Sequence, residues 1–260
     1  MNYASFVWFT IIVTIICMIL IYKYAFFNGV PHCNHFVSNV YLYLALSLAL
    51  TGCFIHLYNY LLNDKNERTK LLSNNQPFIQ IGPYIMGSFI VAILSIIVLS
   101  TRSMFSKGGY MMNHMIWLIF ISSISLTLYP YFKTSELSIV LQRALIMTCV
   151  LFLLMTSIVS IIPKLIKETY KKVIVGLFLA LIAIIITELY LLFTNQYTNN
   201  LYTIISYVVI ILFSIFIVYD TSRLYHYSSI CVNSPNYPLV STNLFLDILN
   251  IFVRLVGVSR

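Results

Sequence analysis

Residues 209–220 read VIILFSIFIVYD, and residues 239–257 read LVSTNLFLDILNIFVRLVG. Both stretches are long and apolar, and each carries one carboxylate, Asp220 or Asp247. An acid at membrane depth costs roughly 2.5–3.5 kcal/mol on insertion scales, so its presence argues for a task. The spacing predicts two consecutive helices joined by one loop near 228–238. Asp220 then lies seven residues from the loop end of its helix and Asp247 eight, by the boundaries expected here (201–227 and 239–257). At 1.5 Å per residue both sit about 10–12 Å deep, at matching height on antiparallel helices.

Working outward, the rest of the chain has the same character. Of its 260 residues 60% are hydrophobic and 8% charged, and the mean hydropathy is +0.93, which excludes a water-soluble domain. Runs of about 20 apolar residues span a bilayer as helices, where every backbone polar group must be satisfied internally. Eight such segments are expected, near 5–27, 39–62, 79–101, 112–132, 139–163, 173–194, 201–227 and 239–257. The loops expected to have any length are 63–78 and 228–238.

The net charge of +8 reads as topology rather than as a nucleic-acid surface, because the basic residues fall in short loops. With eight spans, Lys23, Arg102, Lys107, Lys164, Lys167, Lys171, Lys172 and Arg223 share one side. Lys65, Arg68, Lys70, Lys133 and Arg260 share the other. The cluster PKLIKETYKK at 163–172 therefore points to the cytosol, and both termini to the lumen or outside. The first segment has no basic residue before it, so it reads as a retained helix and not as a cleaved signal. The five cysteines have no CxxC spacing, and free thiols without a disulfide framework are expected.

Two carboxylates within hydrogen-bond reach in a low dielectric cannot both ionise easily, and the pair holds one proton between them over part of the pH range. Raising the pH removes that proton and drives the acids apart unless a cation arrives. Asp220 and Asp247 are thus candidates for a latch between helices, a pH sensor and a weak, transient Ca2+ contact. Two carboxylates fall short of the six to eight oxygens of a tight calcium cage. The bland alternative is two separate acids, each kept neutral by a local partner.

Other polar residues could support this pair. Asn243, Asp247, Asn250 and Arg254 recur at helical spacing and form one stripe. Arg102 ends the third segment and Arg223 follows Asp220 by one turn, so either could hold an aspartate ionised. Arg254 alternatively snorkels to the interface. Glu188 interrupts an apolar run, and Arg143 is its candidate partner. His32, Cys33 and His35 lack a second ligand cluster and read as a loop. The 20 tyrosines and 18 phenylalanines suit interface belts and helix packing.

At these residues the chain resembles the Bax inhibitor-1 (transmembrane Bax inhibitor motif, or lifeguard) family. FSIFIVYDTSRLYHY at 213–227, then NYPLVSTNLFLDILNIFVRLVGV at 236–258, is similar to its C-terminal signature. There Tyr219-Asp220 answers the aromatic-Asp pair. Leu244, Phe245, Leu246, Asp247, Asn250, Ile251, Phe252, Arg254 and Gly257 answer the second part. LTLYPYF at 126–132 resembles a third-helix segment. The resemblance implies an all-α polytopic bundle, a seven-helix core over 39–260, with 1–38 as an extra N-terminal segment and loop.

It also implies a pH-tuned calcium leak channel that modulates calcium stores and inhibits apoptosis, with Asp220 and Asp247 as the latch. Arg102 answers a second-helix arginine by position alone. GSFIVAILSIIVLS at 87–100 carries no acid, where some members have a glutamate. The expected setting is the endoplasmic reticulum or Golgi membrane, with the plasma membrane as the alternative. The expected partners are lipid, Ca2+ as permeant ion, and cell-death regulators or further copies of the chain, with no resident cofactor and no nucleic acid. The alternative function is a non-conducting membrane protein that suppresses death signalling by contact. No enzymatic activity is expected. An intramembrane aspartyl protease also needs two membrane aspartates, but the GxGD setting is missing here.

Overall fold

Backbone groups inside a bilayer must find partners within their own segment, and uninterrupted apolar runs answer that demand as helices. A computed structural model describes residues 3–70, 78–102, 109–133, 138–161, 170–194, 198–231 and 234–259. It contains α1 (Tyr3–Ala25), β1 (Phe26–Phe27), β2 (Val30–Pro31), α2 (Phe36–Lys70), α3 (Phe78–Ser100) and α4 (Tyr110–Lys133). Then follow α5 (Ser138–Ile161), α6 (Tyr170–Phe193), α7 (Asn199–Ile230) and α8 (Tyr237–Val258). All eight helices are long and apolar enough to cross a membrane, as the eight segments predict. The chain is an integral membrane protein with an all-α, polytopic architecture.

Three local features depart from the sequence reading. The expected loop from 63 begins as helix, since α2 runs on to Lys70. The stretch NDKNERTK is charged but free of Gly and Pro, and Lys, Glu and Arg are good helix formers once past the interface. After α1 comes a small antiparallel hairpin, with Phe26 opposite Pro31 and Phe27 opposite Val30. Its two-residue turn is Asn28-Gly29, both at positive φ (50° and 77°). Asn-Gly between strands is the strongest short hairpin signal, and FFNGV carried it. The third departure is a disulfide between Cys33 and Cys231, 198 residues apart. It overturns the expectation of free thiols at these two positions, because the fold sets the α1–α2 and α7–α8 loops side by side. The Cα atoms are 5.9 Å apart. Cys17, Cys53 and Cys149 are free. The bridge also removes Cys33 as a metal ligand in HCNH.

The contacts divide the chain into two compact units. The first comprises Met1–Ser135 and Ile230–Thr242, the second Glu136–Ser229 and Asn243–Arg260. In the first, α2 packs on α1 and α4, and α3 packs on α4. Tyr58 joins the Ser122 hydroxyl at 2.6 Å, and Ser88 meets Thr127 at 3.1 Å. The start of α8 is tied in by Tyr237, which is fully buried. Its ring stacks on Tyr43 at 5.5 Å, its hydroxyl donates to the His32 carbonyl, and Asn39 Nδ2 donates to it at 3.1 Å. Tyr43 in turn meets His114 Nε2 at 2.6 Å and packs edge-on against Trp117. Tyr43 and Tyr237 are therefore core residues of this unit, not members of an interface belt.

The second unit holds α5, α6, α7 and most of α8. Ser160 and Tyr225 link α5 to α7 at 3.0 Å. Helices α6 and α8 are opposites within it. Only 6% of the α6 span is buried within the chain, whereas 67% of the α8 span is buried. Residues 163–169 of the basic cluster lie outside the described residues, as do Lys107, the 71–77 segment and Arg260.

Candidate functional site

Asp220 and Asp247 belong to the same unit, on α7 and α8. The observed helix ends move outward by about equal amounts from those expected. Asp220 lies ten residues from Ile230 and Asp247 ten from Tyr237, about 15 Å along each helix. Each aspartate thus lies the same number of residues from its helix end at the α7–α8 connection. Asp247 is 5% exposed, and its Oδ2 has no hydrogen-bond partner among the described residues. A buried carboxylate oxygen without a donor is a costly arrangement that a proton or a cation would relieve.

The local sequence explains why the acids are held there. The N-terminus of α8 is set by Asn236, whose Oδ1 accepts from the Leu239 amide at 3.3 Å, with Pro238 in the first turn. From that fixed start, Asp247 falls on the enclosed face of α8. On α7, Tyr219 and Thr221 on either side of Asp220 are buried, and Asp220 itself is half-buried.

Among the supporting residues, Arg223 follows Asp220 by one turn on α7. Its guanidinium is held by Tyr227, with Nε donating to the phenol oxygen at 2.5 Å and the ring 5.0 Å from Cζ. Tyr227 thus restrains the cation that competes for Asp220. Asn243 and Asn250 are half-buried on the stripe, and Asn250 Nδ2 donates back to the Leu246 carbonyl at 2.8 Å. Arg102 is exposed just past α3, in the first unit.

One pairing in this unit was not foreseen. Arg254 neither snorkels alone nor leaves Glu188 to Arg143. It grips Glu188 with two parallel bonds, Nη1 to Oε1 at 2.5 Å and Nη2 to Oε2 at 2.8 Å. Arg143 is exposed on α5. Two signals in the sequence pointed this way: Glu188 is a lone acid in an apolar run, and Arg254 lies seven residues from Asp247 on its stripe. Which helix would lie beside α8 was the missing information.

Among the described residues no group of three or more His, Cys, Asp or Glu is placed to hold a metal ion. Two aspartates fall short of the six to eight oxygens of a tight calcium site.

Comparison with known proteins bears on the same residues. The family model described as inhibitor of apoptosis-promoting Bax1 matches residues 33–258, from just after the hairpin through α8. The Golgi anti-apoptotic proteins of vaccinia virus strains Lister, LC16m0 and LC16m8 are each 32% identical over 137 residues. That stretch is 53% of this chain and 53% of each relative, so the match spans about half the length of these curated relatives.

Proposed function

This chain belongs to the Bax inhibitor-1 family, and from that premise we propose that it restrains apoptosis by leaking cations, calcium foremost, across an intracellular membrane. Asp220 and Asp247 are the gate. The observation that carries this reading is the buried Asp247 Oδ2, without a partner among the described residues, on the helix that follows the one carrying Asp220.

With one proton between them, the two carboxyls hold α7 to α8 and the gate is shut. When the proton leaves, like charges repel in a low dielectric. The repulsion is relieved by separating the helices or by admitting a cation, and either step favours passage. Arg223 tunes the latch, because its charge favours ionised Asp220 and Tyr227 limits how closely it approaches. No bond to substrate forms or breaks, so the reading assigns no catalytic step and no resident cofactor. The Golgi or endoplasmic reticulum membrane is the proposed setting. Support comes from the family match and from the Golgi anti-apoptotic relatives.

The test is calcium flux into liposomes holding the purified full chain, between about pH 6 and about pH 8, the range over which a coupled carboxyl pair could change its proton count. Leak should rise with pH. Asp220→Asn and Asp247→Asn each mimic a protonated partner and should flatten that dependence. A folded protein that passes no ion in any form would overturn the channel and leave a contact-based suppressor of death signalling.

A further inference from the structure

The polar stripe of α8 does not stop at the aspartates. Arg254 follows Asp247 by seven residues, so it lies on the same face, about 10.5 Å further along the axis. Asn250 lies between them on that face. At this far level Arg254 holds Glu188 of α6, and both side chains are largely enclosed, at 20% and 17% exposure. We propose that the Glu188–Arg254 pair is a second closure of the pathway whose other end is the aspartate latch. This inference rests on the cation-leak reading and adds a gate to it.

A guanidinium has five donors and no acceptor, so it cannot ligate a cation and repels one at close range. Both oxygens of Glu188 are engaged by Arg254 and offer nothing to a passing ion. While the pair is intact, this level carries no net charge and no free carboxylate. When Arg254 swings away, the carboxylate charge is no longer offset and the repulsive guanidinium leaves the path.

A gate and a girder differ in sign. Removing the arginine charge leaves a net negative charge that attracts cations, whereas removing the glutamate charge leaves a net positive charge that repels them. At a separation of about 12 Å and an effective dielectric of about 20, one unit charge changes the passage of a monovalent cation by about tenfold and that of Ca2+ by about a hundredfold. Monovalent cation flux in liposomes should therefore rise about tenfold in Arg254→Gln and fall about tenfold in Glu188→Gln, and calcium flux should move about a hundredfold in the same directions. The exchanged pair Glu188→Arg/Arg254→Glu should return toward the starting level. Arg254→Lys keeps the charge with fewer bonds and should leak only slightly more, which serves if Arg254→Gln does not fold. Equal losses in both single variants, or no change in either while the aspartate variants alter flux, would reduce the pair to a structural tie. Flux absent from every folded form, the original included, would instead sink the channel reading and this second gate with it.

Discussion

Gly257 is a glycine because Tyr202 already occupies the space of its side chain. A Cβ built there would lie 1.7 Å from the Tyr202 hydroxyl oxygen and 2.7 Å from Cζ. The phenol of α7 thus lies against the bare backbone of α8, and Gly257→Val must displace the whole ring. The expected loss is about 1–3 kcal/mol, the usual cost of overpacking a close contact. Pairing it with Tyr202→Ala should recover part of that loss. Thermal unfolding in detergent reads both, and a Gly257→Val protein as stable as the parent would show that the ring moves freely. Asp220 and Asp247 were legible at this scale because a charge in hydrocarbon is costly wherever it sits. Glu188 and Arg254 were legible as unusual residues and not as partners.

Helix α8 owes its register to its first turn. Asn236 caps the Leu239 amide, and Ser241 and Thr242 both return a hydroxyl to the Pro238 carbonyl, at 3.1 and 2.7 Å. Losing the cap in Asn236→Ala should cost about 1 kcal/mol, and Asn236→Ser should restore most of it. Hydrogen exchange at the first turn of α8 would detect the change locally. Full protection in Asn236→Ala would mean that Tyr237 alone sets the register. The hairpin after α1 offers a second check. Gly29 at φ 77° has open space around it, so its need for glycine is conformational. Gly29→Val should destabilise the turn by about 1–2 kcal/mol through backbone strain alone. Segment existence was readable from length and hydropathy, while ends were not. Helix α2 continues into charged residues because nothing in that stretch stops it.

At the scale of the whole molecule, the Cys33–Cys231 bridge closes a loop of nearly the entire chain. Cys33→Ser should lower stability by about 2–4 kcal/mol, the usual value of a disulfide. Non-reducing peptide mapping should recover the two cysteine peptides joined. Two separate peptides from protein purified without reductant would refute the bridge. It also bears on orientation. The Lys and Arg count puts both bridged loops in the cytosol, whereas disulfides persist in oxidising compartments. A single cysteine kept at 231 and probed with an impermeant maleimide decides between them. Labelling from the cytosolic side is what the charge count requires, and labelling from the lumenal side alone would reverse the orientation.

Hydropathy and spacing along the chain establish a membrane bundle of apolar helices, eight among the described residues, with one aspartate in each of the last two at equal counts from their shared connection. Both follow from local chemistry: hydropathy over about 20 residues, and equal distances from a shared loop. Tertiary structure alone decided which groups meet across the bundle. That Arg254 takes Glu188 and not solvent, that Cys33 finds Cys231, and that Tyr237 stacks on Tyr43 depend on the lateral order of helices. Helix order is set by packing of whole faces, which no single segment encodes.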